Sequence, residues 1–448
     1  MTLDPLRPYQ TRALELLVDA AHRWSARKAG YGLLAVAPTG AGKTRLALEL
    51  ATRSIAKGRR VLWLAPRTEL INQPLERLHE AGWHDVQVLQ ADRPRGEGPI
   101  TVASIQTLVA RGELPEADLV ILDEARHYVA QEWGAVAARY LGSVRVGLDA
   151  TPARADGAAL GDLFDELIEV ATIQELTALG WLVPARVIGP AQYEKKLCGA
   201  GPVQAYLDHT PQGRALCFCT SRRHAADTAA EFRAAGVEAV AVDSHSSEDT
   251  RALAVAGIRD GSLRVLCNVQ LFTEGFDAPG VDTVIVARGV SNGWTWLQMI
   301  GRGLRPAAGR AVEGERCTVL DLRGHCRRAG FGFPDDPRTW HLEGRPLRHV
   351  EGLPVAVQCP GCHGWSRGGG TCPVCGATKP DPPPPKISKA KLAELRRERA
   401  PRHGAQWELW RGLVLEARER GYKPQWAIFR YKAKTGYFPR WGVKQVEE

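Results

Sequence analysis

Tyr31-Gly-Leu-Leu-Ala-Val-Ala-Pro-Thr-Gly-Ala-Gly-Lys-Thr44 decides how the chain begins to fold. Residues 31–37 are an unbroken apolar run, and the amphipathic stretch Arg45–Lys57 follows the quoted segment at once. A buried strand that empties through a Gly-rich turn onto a helix start is the context that separates a P-loop from a chance match. Gly40 and Gly42 let backbone N–H groups close around phosphate oxygens, and the helix directs its positive end at the same anion. Thr39, Gly40, Ala41 and Gly42 therefore form the expected cradle. Lys43 reaches the terminal phosphates, and Thr44 is placed to ligate Mg²⁺.

A second site strengthens the first. Leu119-Val-Ile-Leu122 runs into Asp123-Glu124-Ala-Arg-His127, a buried strand ending on two carboxylates. Asp123 is expected to hold Mg²⁺ through water, and Glu124 to polarise the attacking water as general base. Apolar runs at Val61–Ala65, Ile100–Ala103 and Val144–Leu148 alternate with amphipathic stretches, which argues for a parallel sheet covered by helices. The pattern restarts with Arg214–Phe218, Val237–Val242, Arg264–Cys267, Thr283–Val286 and Cys317–Leu322. The expected architecture is α/β, with two tandem parallel-sheet domains over residues 1–185 and 186–345.

Two small modules follow. Cys359-Pro-Gly-Cys362 and Cys372-Pro-Val-Cys375 are tight turns that each aim two thiolates at one point, so residues 355–380 read as a closed Zn²⁺ site of structural type. The intervening residues offer almost no core, so this unit is expected to need its metal to fold. The other cysteines, at Cys198, Cys217, Cys219, Cys267, Cys317 and Cys326, read as core. After a polyproline linker comes a basic helical tail, residues 386–448. The chain of 448 residues has 59 basic and 50 acidic residues, and the tail holds 16 and 7 of these, so it carries the whole net charge of +9. A basic end on a neutral body points to a polyanion such as nucleic acid, or to a solvated helical tail. Arg430, Lys432 and Lys434 are its candidates for phosphate contact, while Trp407 and Trp410 read as the core of a helical module.

With 44% hydrophobic and 24% charged residues the composition is that of an ordinary globular chain, which excludes a mostly disordered one. No apolar run approaches the roughly 18–20 residues of a membrane span, and no secretory signal is visible at the start. A cytoplasmic protein with no membrane partner is expected.

Read in order, the segments resemble the superfamily 2 helicases, motors with two RecA-like domains. Leu6–Gln10 resembles their adenine-reading segment, with Gln10 facing the base. Ala37–Thr44 resembles motif I, Ala65–Leu70 motif Ia, Thr101–Thr107 motif Ib, Asp123–His127 the DEAH-type motif II and Gly147–Pro152 motif III. Phe218–Ser221, Thr273–Pro279 and Gln298–Arg305 resemble motifs IV, V and VI. The resemblance implies ATP as the nucleotide, with Asp277 at the ribose or a bridging group. Arg302 and Arg305, three apart on an expected helix, are implied to reach across from the second domain as arginine fingers. It places Arg67, Thr68, Ser104, Gln106, Thr220 and Thr273 along the strand-holding face. The tail from Gly421 to Pro439 is similar to that of some phage- and prophage-associated members. Two positions depart from the pattern. Arg126 stands where His or Asp is usual, with His127 next to it as a substitute, and Asp149 stands where Thr or Ser opens motif III.

The expected function is an ATP-dependent DNA helicase or translocase, with the tail also able to dock proteins. A duplex translocase and an RNA helicase are the alternatives within the class. A nucleic-acid-binding protein with a vestigial ATPase is the alternative outside it.

Overall fold

The structure, a computed structural model, describes residues 5–25, 30–66, 69–90, 98–112, 114–129, 131–153, 159–190, 200–269, 280–328, 330–343, 356–361, 364–367, 370–372, 375–379, 405–422 and 424–435. They fall into two compact units, residues 1–382 and 383–448.

The first unit contains two parallel sheets. In the amino-terminal sheet the strands are β1 (Gly32–Val36), β2 (Val61–Ala65), β3 (Val86–Leu89), β4 (Ile100–Ser104), β5 (Leu119–Asp123), β6 (Val144–Asp149) and β7 (Glu166–Glu169). Their spatial order is β3-β4-β2-β5-β6-β1-β7. All neighbours run parallel, so both faces must be covered and the strands read as continuous apolar runs. Leu33, Val61 and Trp63 pack on one face with α1 (Pro8–Trp24), α2 (Lys43–Ile55) and α3 (Glu69–Glu80). Leu34, Leu62, Leu64 and Val120 pack on the other with α4 (Ile105–Arg111), α5 (Gln131–Ala138) and a 3-10 turn, Ala125–Val129.

The chain passes through α6 (Ile173–Ala178) and a short linker into the second sheet. Its strands are β8 (Ala185–Ile188), β9 (Ala215–Phe218), β10 (Ala239–Val242), β11 (Val265–Asn268), β12 (Thr283–Val286) and β13 (Cys317–Asp321), in the order β10-β11-β9-β12-β13-β8. The helices α7 (Pro202–His209), α8 (Arg222–Ala234), α9 (Glu248–Asp260) and α10 (Gly293–Gly301) belong to this half.

Two features tie the halves together or extend them. After β13 the segment 331–343 returns to the first half, where the Leu342 carbonyl accepts the N–H groups of Leu160 (2.7 Å) and Gly161 (3.0 Å). Arg338 stiffens the segment by donating to the carbonyls of Phe331, Phe333, Pro334 and Asp336. The hairpin β14 (Ala356–Gln358) and β15 (Gly364–Arg367) adds antiparallel to β8, pairing Gly364 with Ile188 and Trp365 with Val187. The cysteine-bearing segment thus extends the second sheet.

The second unit is a helical pair, α11 (Ala405–Glu419) and α12 (Pro424–Thr435). Trp410 is fully buried there and meets Tyr431 edge-on, with ring centroids 5.8 Å apart. The polyproline stretch lies outside the described residues.

The start of β1 tolerates no side chain at Gly32, where a Cβ would come within 2.1 Å of the Leu163 carbonyl oxygen. Gly32→Ala is expected to cost about 1–3 kcal/mol, as overpacking against rigid backbone does, and to lower the thermal midpoint measured by calorimetry.

Candidate active site

The P-loop leaves the carboxyl end of β1. Beside it, in the order β5-β6-β1, the ends of the neighbouring strands deliver Asp123 and Asp149. A parallel sheet concentrates functional groups at this edge because every strand ends there. Gly40 and Gly42 hold left-handed conformations, with φ of 89° and 75°, and Gly42 starts α2. Lys43 is half-buried and donates to the Ala37 carbonyl at 3.1 Å. Burial pulls its ammonium pKa down, opposed by the charges of Glu124, Asp123 and Asp149. Burial, and then the neighbouring Glu124, push the Asp123 carboxyl up to about 7. An oxygen site with this excess of buried negative character, next to the Thr44 hydroxyl, fits a hard cation such as Mg²⁺.

Glu124 has φ of 49°, the one left-handed non-glycine residue among those described. Such backbone persists only where the surroundings over-determine it, and it clusters at functional sites. Here the surroundings are charged. Arg126 Nη1 donates to Glu124 Oε2 at 2.6 Å and to Asp149 Oδ1 at 2.5 Å. Asp149, fully buried, also accepts the backbone N–H groups of Arg126 (2.9 Å) and Thr151 (2.8 Å). The two departures from the helicase pattern are therefore partners of one another. His127 does not substitute for Arg126, because its ring lies by Trp133 with centroids 6.0 Å apart.

The second half closes over this edge through α10 and the turn after it. A Cβ on Gly301 would meet the Thr39 Cβ at 2.9 Å. A Cβ on Gly40 would meet Arg305 Cγ at 3.0 Å, so Arg305 lies directly against the P-loop. Arg302 is near enough to Lys43 to oppose its charge and is buried, while Arg305 is half-buried. Burial, and then Arg259, lower the Arg305 guanidinium to about 10, which leaves it charged at neutral pH. One expectation is corrected here. The arginines do not share a helix face, since α10 ends at Gly301, Arg302 is its cap, and Arg305 lies beyond it. Gly301 and Gly303 weaken the helix at this point, and Gly303 packs so close to Cys317 and Val284 that the backbone turns away.

Gln10 serves the loop itself. Its amide donates to the carbonyls of Ala41 (3.1 Å) and Gly42 (3.2 Å), and its carbonyl accepts the Arg7 N–H at 2.9 Å. Tyr9 adds a bond to Ala41 at 2.8 Å. Beside them, the guanidinium carbons of Arg7 (4.0 Å) and Arg310 (4.9 Å) lie over the Trp181 ring. Sequence reading missed Trp181, Arg310 and Thr151. An isolated Trp after a Gly in a linker carries no motif, and Thr151 was visible only as part of motif III.

On the strand-holding face, Ser104 caps α4 at the end of β4 and donates to Gln106 (2.6 Å), which donates to the Pro66 carbonyl (2.5 Å). Thr220 is exposed just after β9, with its hydroxyl 2.9 Å from His224 Nδ1. Arg67, Thr68, Thr273 and Asp277 lie outside the described residues. In the helical pair, Arg430 and Lys434 are exposed on α12, which also carries Lys432.

The sulfurs of Cys359, Cys372 and Cys375 lie within 4.8 Å of one another, and the Gly361 N–H points at Cys359 Sγ (3.4 Å). Three convergent thiols, one receiving a backbone N–H, fit a soft divalent metal. Cys362 lies outside the described residues, as does Cys198. Cys217, Cys219 and Cys267 also converge, but inside an apolar cluster with Ala225, Ala229 and Phe232.

Two stacked phosphate-cradle and arginine-bearing halves define a RecA-type nucleoside-triphosphatase. Comparison with known proteins narrows this. Residues 4–154 match the family described as type III restriction enzyme, res subunit, and residues 201–307 match the helicase conserved C-terminal domain. A 51.5 kDa protein of Lactococcus phage (isolate 7-9) is 26% identical over 76% of this chain and 76% of its own. A protein of Schizosaccharomyces pombe named as a mitochondrial ATP-dependent helicase, irc3, is 28% identical over 73% of this chain. This chain spans 58% of the length of that relative. Among solved structures, a fragment named as the HsdR subunit of a type I restriction enzyme from Vibrio vulnificus YJ016 shares the fold. Its TM-score is 0.55 at 20% identity, covering 76% of this chain and 67% of that one. The two matches and these relatives support a superfamily 2 helicase, and the chain is an ATP-hydrolysing enzyme. No described helix is long and apolar enough to cross a membrane.

The contact of Gly301 with Thr39 gives a direct test. Gly301→Ala is expected to hold the halves apart, reducing kcat by roughly 10²-fold for a displacement near 1 Å while ATP binding, followed with a fluorescent analogue, persists.

Proposed function

We propose that the protein is an ATP-dependent DNA helicase or translocase whose hydrolytic site assembles at the seam between the two sheet domains, residues 1–185 and 186–345. The observation that carries this reading is Arg305 of the second half resting against Gly40 of the P-loop. In this reading Thr39, Gly40, Ala41, Gly42 and Lys43 hold the phosphates. Thr44 and Asp123 hold Mg²⁺, which when bound supplies positive charge to the phosphate oxygens. Glu124 takes the proton of the attacking water, and Arg302 and Arg305 stabilise charge developing on the transferred phosphoryl group. Gln10 fixes the loop near the base. ATP contacts with both halves favour closure and loss of the terminal phosphate favours opening, which is the stroke.

Strand contact is assigned to Arg67, Thr68, Ser104, Gln106, Thr220 and Thr273, with Asp277 at the nucleotide. These residue types grip the backbone and carry no sequence information, so binding should tolerate any sequence. Cys359, Cys362, Cys372 and Cys375 bind one Zn²⁺ in a closed structural site on the edge of the second sheet. Arg430, Lys432 and Lys434 of the tail add phosphate contacts, and the tail is also the segment suited to docking a protein. The restriction-enzyme match over residues 4–154 supports DNA over RNA. The same match favours movement along an intact duplex as the second reading.

The deciding experiment is ATPase activity with single-stranded DNA, duplex DNA and RNA side by side. Stimulation by DNA is expected, and stimulation by RNA alone would overturn the substrate. Strand displacement set against triplex displacement then separates unwinding from sliding. Lys43→Ala should abolish turnover, and Arg305→Ala should lower kcat by about 10³-fold or more. Removal of residues 386–448 should weaken DNA binding and flatten the dependence of log K on log salt, read from titrations at several salt concentrations. Metal analysis of the purified chain should find zinc, and strong chelation should release it with loss of the 355–380 fold.

A further inference from the structure

We propose that Arg126 is a positioning residue for Glu124, and that Asp149 sets how tightly it holds. This deepens the proposed reading and rests on Glu124 being the general base. One guanidinium nitrogen, Arg126 Nη1, serves two carboxylates, at 2.6 Å and 2.5 Å. The three side chains are nearly sealed from water, with exposures of 6% for Arg126, 9% for Glu124 and 0% for Asp149. In so dry a place neither carboxylate is easily left without a cation, and the cation cannot be given wholly to both.

The two carboxylates are not equally mobile. Asp149 ends β6 and is held by the backbone N–H groups of Arg126 and Thr151. Glu124 sits on a left-handed residue just past β5, and its carboxylate is tethered by Arg126. Asp149 is therefore the fixed post, Arg126 the arm, and Glu124 the group held at its end. The post is itself joined to the second half of the molecule. Gln298 of α10 donates through Nε2 to Thr151 Oγ1 at 3.2 Å, and the Thr151 N–H is on Asp149. A continuous polar chain runs from the closing half through Thr151, Asp149 and Arg126 to Glu124.

The consequence is chemical. While Asp149 shares the guanidinium, Arg126 holds the Glu124 carboxylate from a fixed direction. Without Asp149 the arginine loses its fixed post, and Glu124 is no longer held in one place. Without Arg126, Glu124 loses its orientation. Arginine at 126 and aspartate at 149 are thus a matched pair. The Thr or Ser usual at 149 would leave the arginine unbalanced, and the His or Asp usual at 126 would leave the aspartate without its cation.

A double-mutant cycle on the full chain tests this. Asp149→Asn keeps the shape and removes the charge. It is expected to lower kcat by roughly 10²-fold with KM for ATP nearly unchanged. Arg126→Ala should cost about as much. The double variant should lose about what one single variant loses, not the product of the two, because both act on the same carboxylate. Multiplicative losses, or a raised KM with kcat intact, would overturn the proposal. If Arg126→Ala does not fold, Arg126→Gln takes its place in the cycle, since it keeps much of the side chain's bulk and removes the charge, and the same sub-multiplicative result is required. Glu124→Gln is measured in parallel. Turnover retained there overturns the assignment of the base. An inactive Glu124→Gln together with a multiplicative cycle overturns the clamp alone.

Discussion

The structure depends on a charge-dense, half-buried to buried seam. At the carboxyl edge of the first sheet Arg126 joins Glu124 to Asp149, Lys43 feels Glu124, Asp123, Asp149 and Arg302, and Arg305 rests against the P-loop. Each of these groups is unfavourable to bury alone, and isolated burial of any one would cost several kcal/mol. Together they are tolerable, and a bound triphosphate with its cation would complete the balance. Much of the architecture follows from this constraint. Parallel strands bring the carboxylates to one edge, glycines at 40 and 301 remove the bulk that would keep the halves apart, and the Gln10 amide occupies two P-loop carbonyls.

Much of this was legible in the sequence, for a definite reason. Strands buried on both faces must be apolar throughout, so β1, β2, β4, β5 and β6 stand out as unbroken runs bounded by polar or Gly-rich turns. Among the parallel strands, those that escaped notice are β3, β7 and β8. β3 and β7 lie at the two edges of the first sheet and β8 joins the added hairpin, and each is only partly buried. Glu-Leu-Ile-Glu in β7 and Val-Gln-Val-Leu in β3 are short and mixed, which is what half-covered strands look like. The phosphate cradle was legible because its glycines answer a local backbone demand that neighbouring residues can reveal.

The partnership of Arg126 and Asp149 was not legible. The positions are far apart in sequence, and each looked like a separate departure from a pattern. Only the pairing of β5 with β6 brings them together. The same holds for Trp181 and its two arginines, which come from the start of the chain and from beyond α10. Local periodicity reports which elements form. Contacts between side chains of distant elements depend on register, and register becomes known only when the sheet is assembled.

The returning segment 331–343 has a mechanical meaning. The chain passes between the halves twice, once through the linker before β8 and once where Leu342 meets Leu160 and Gly161. A body fastened at two points cannot gape like a clam held at one; it can swivel about the line between the fastenings. The excursion available to each cycle is then a pivot of limited arc about those two connections.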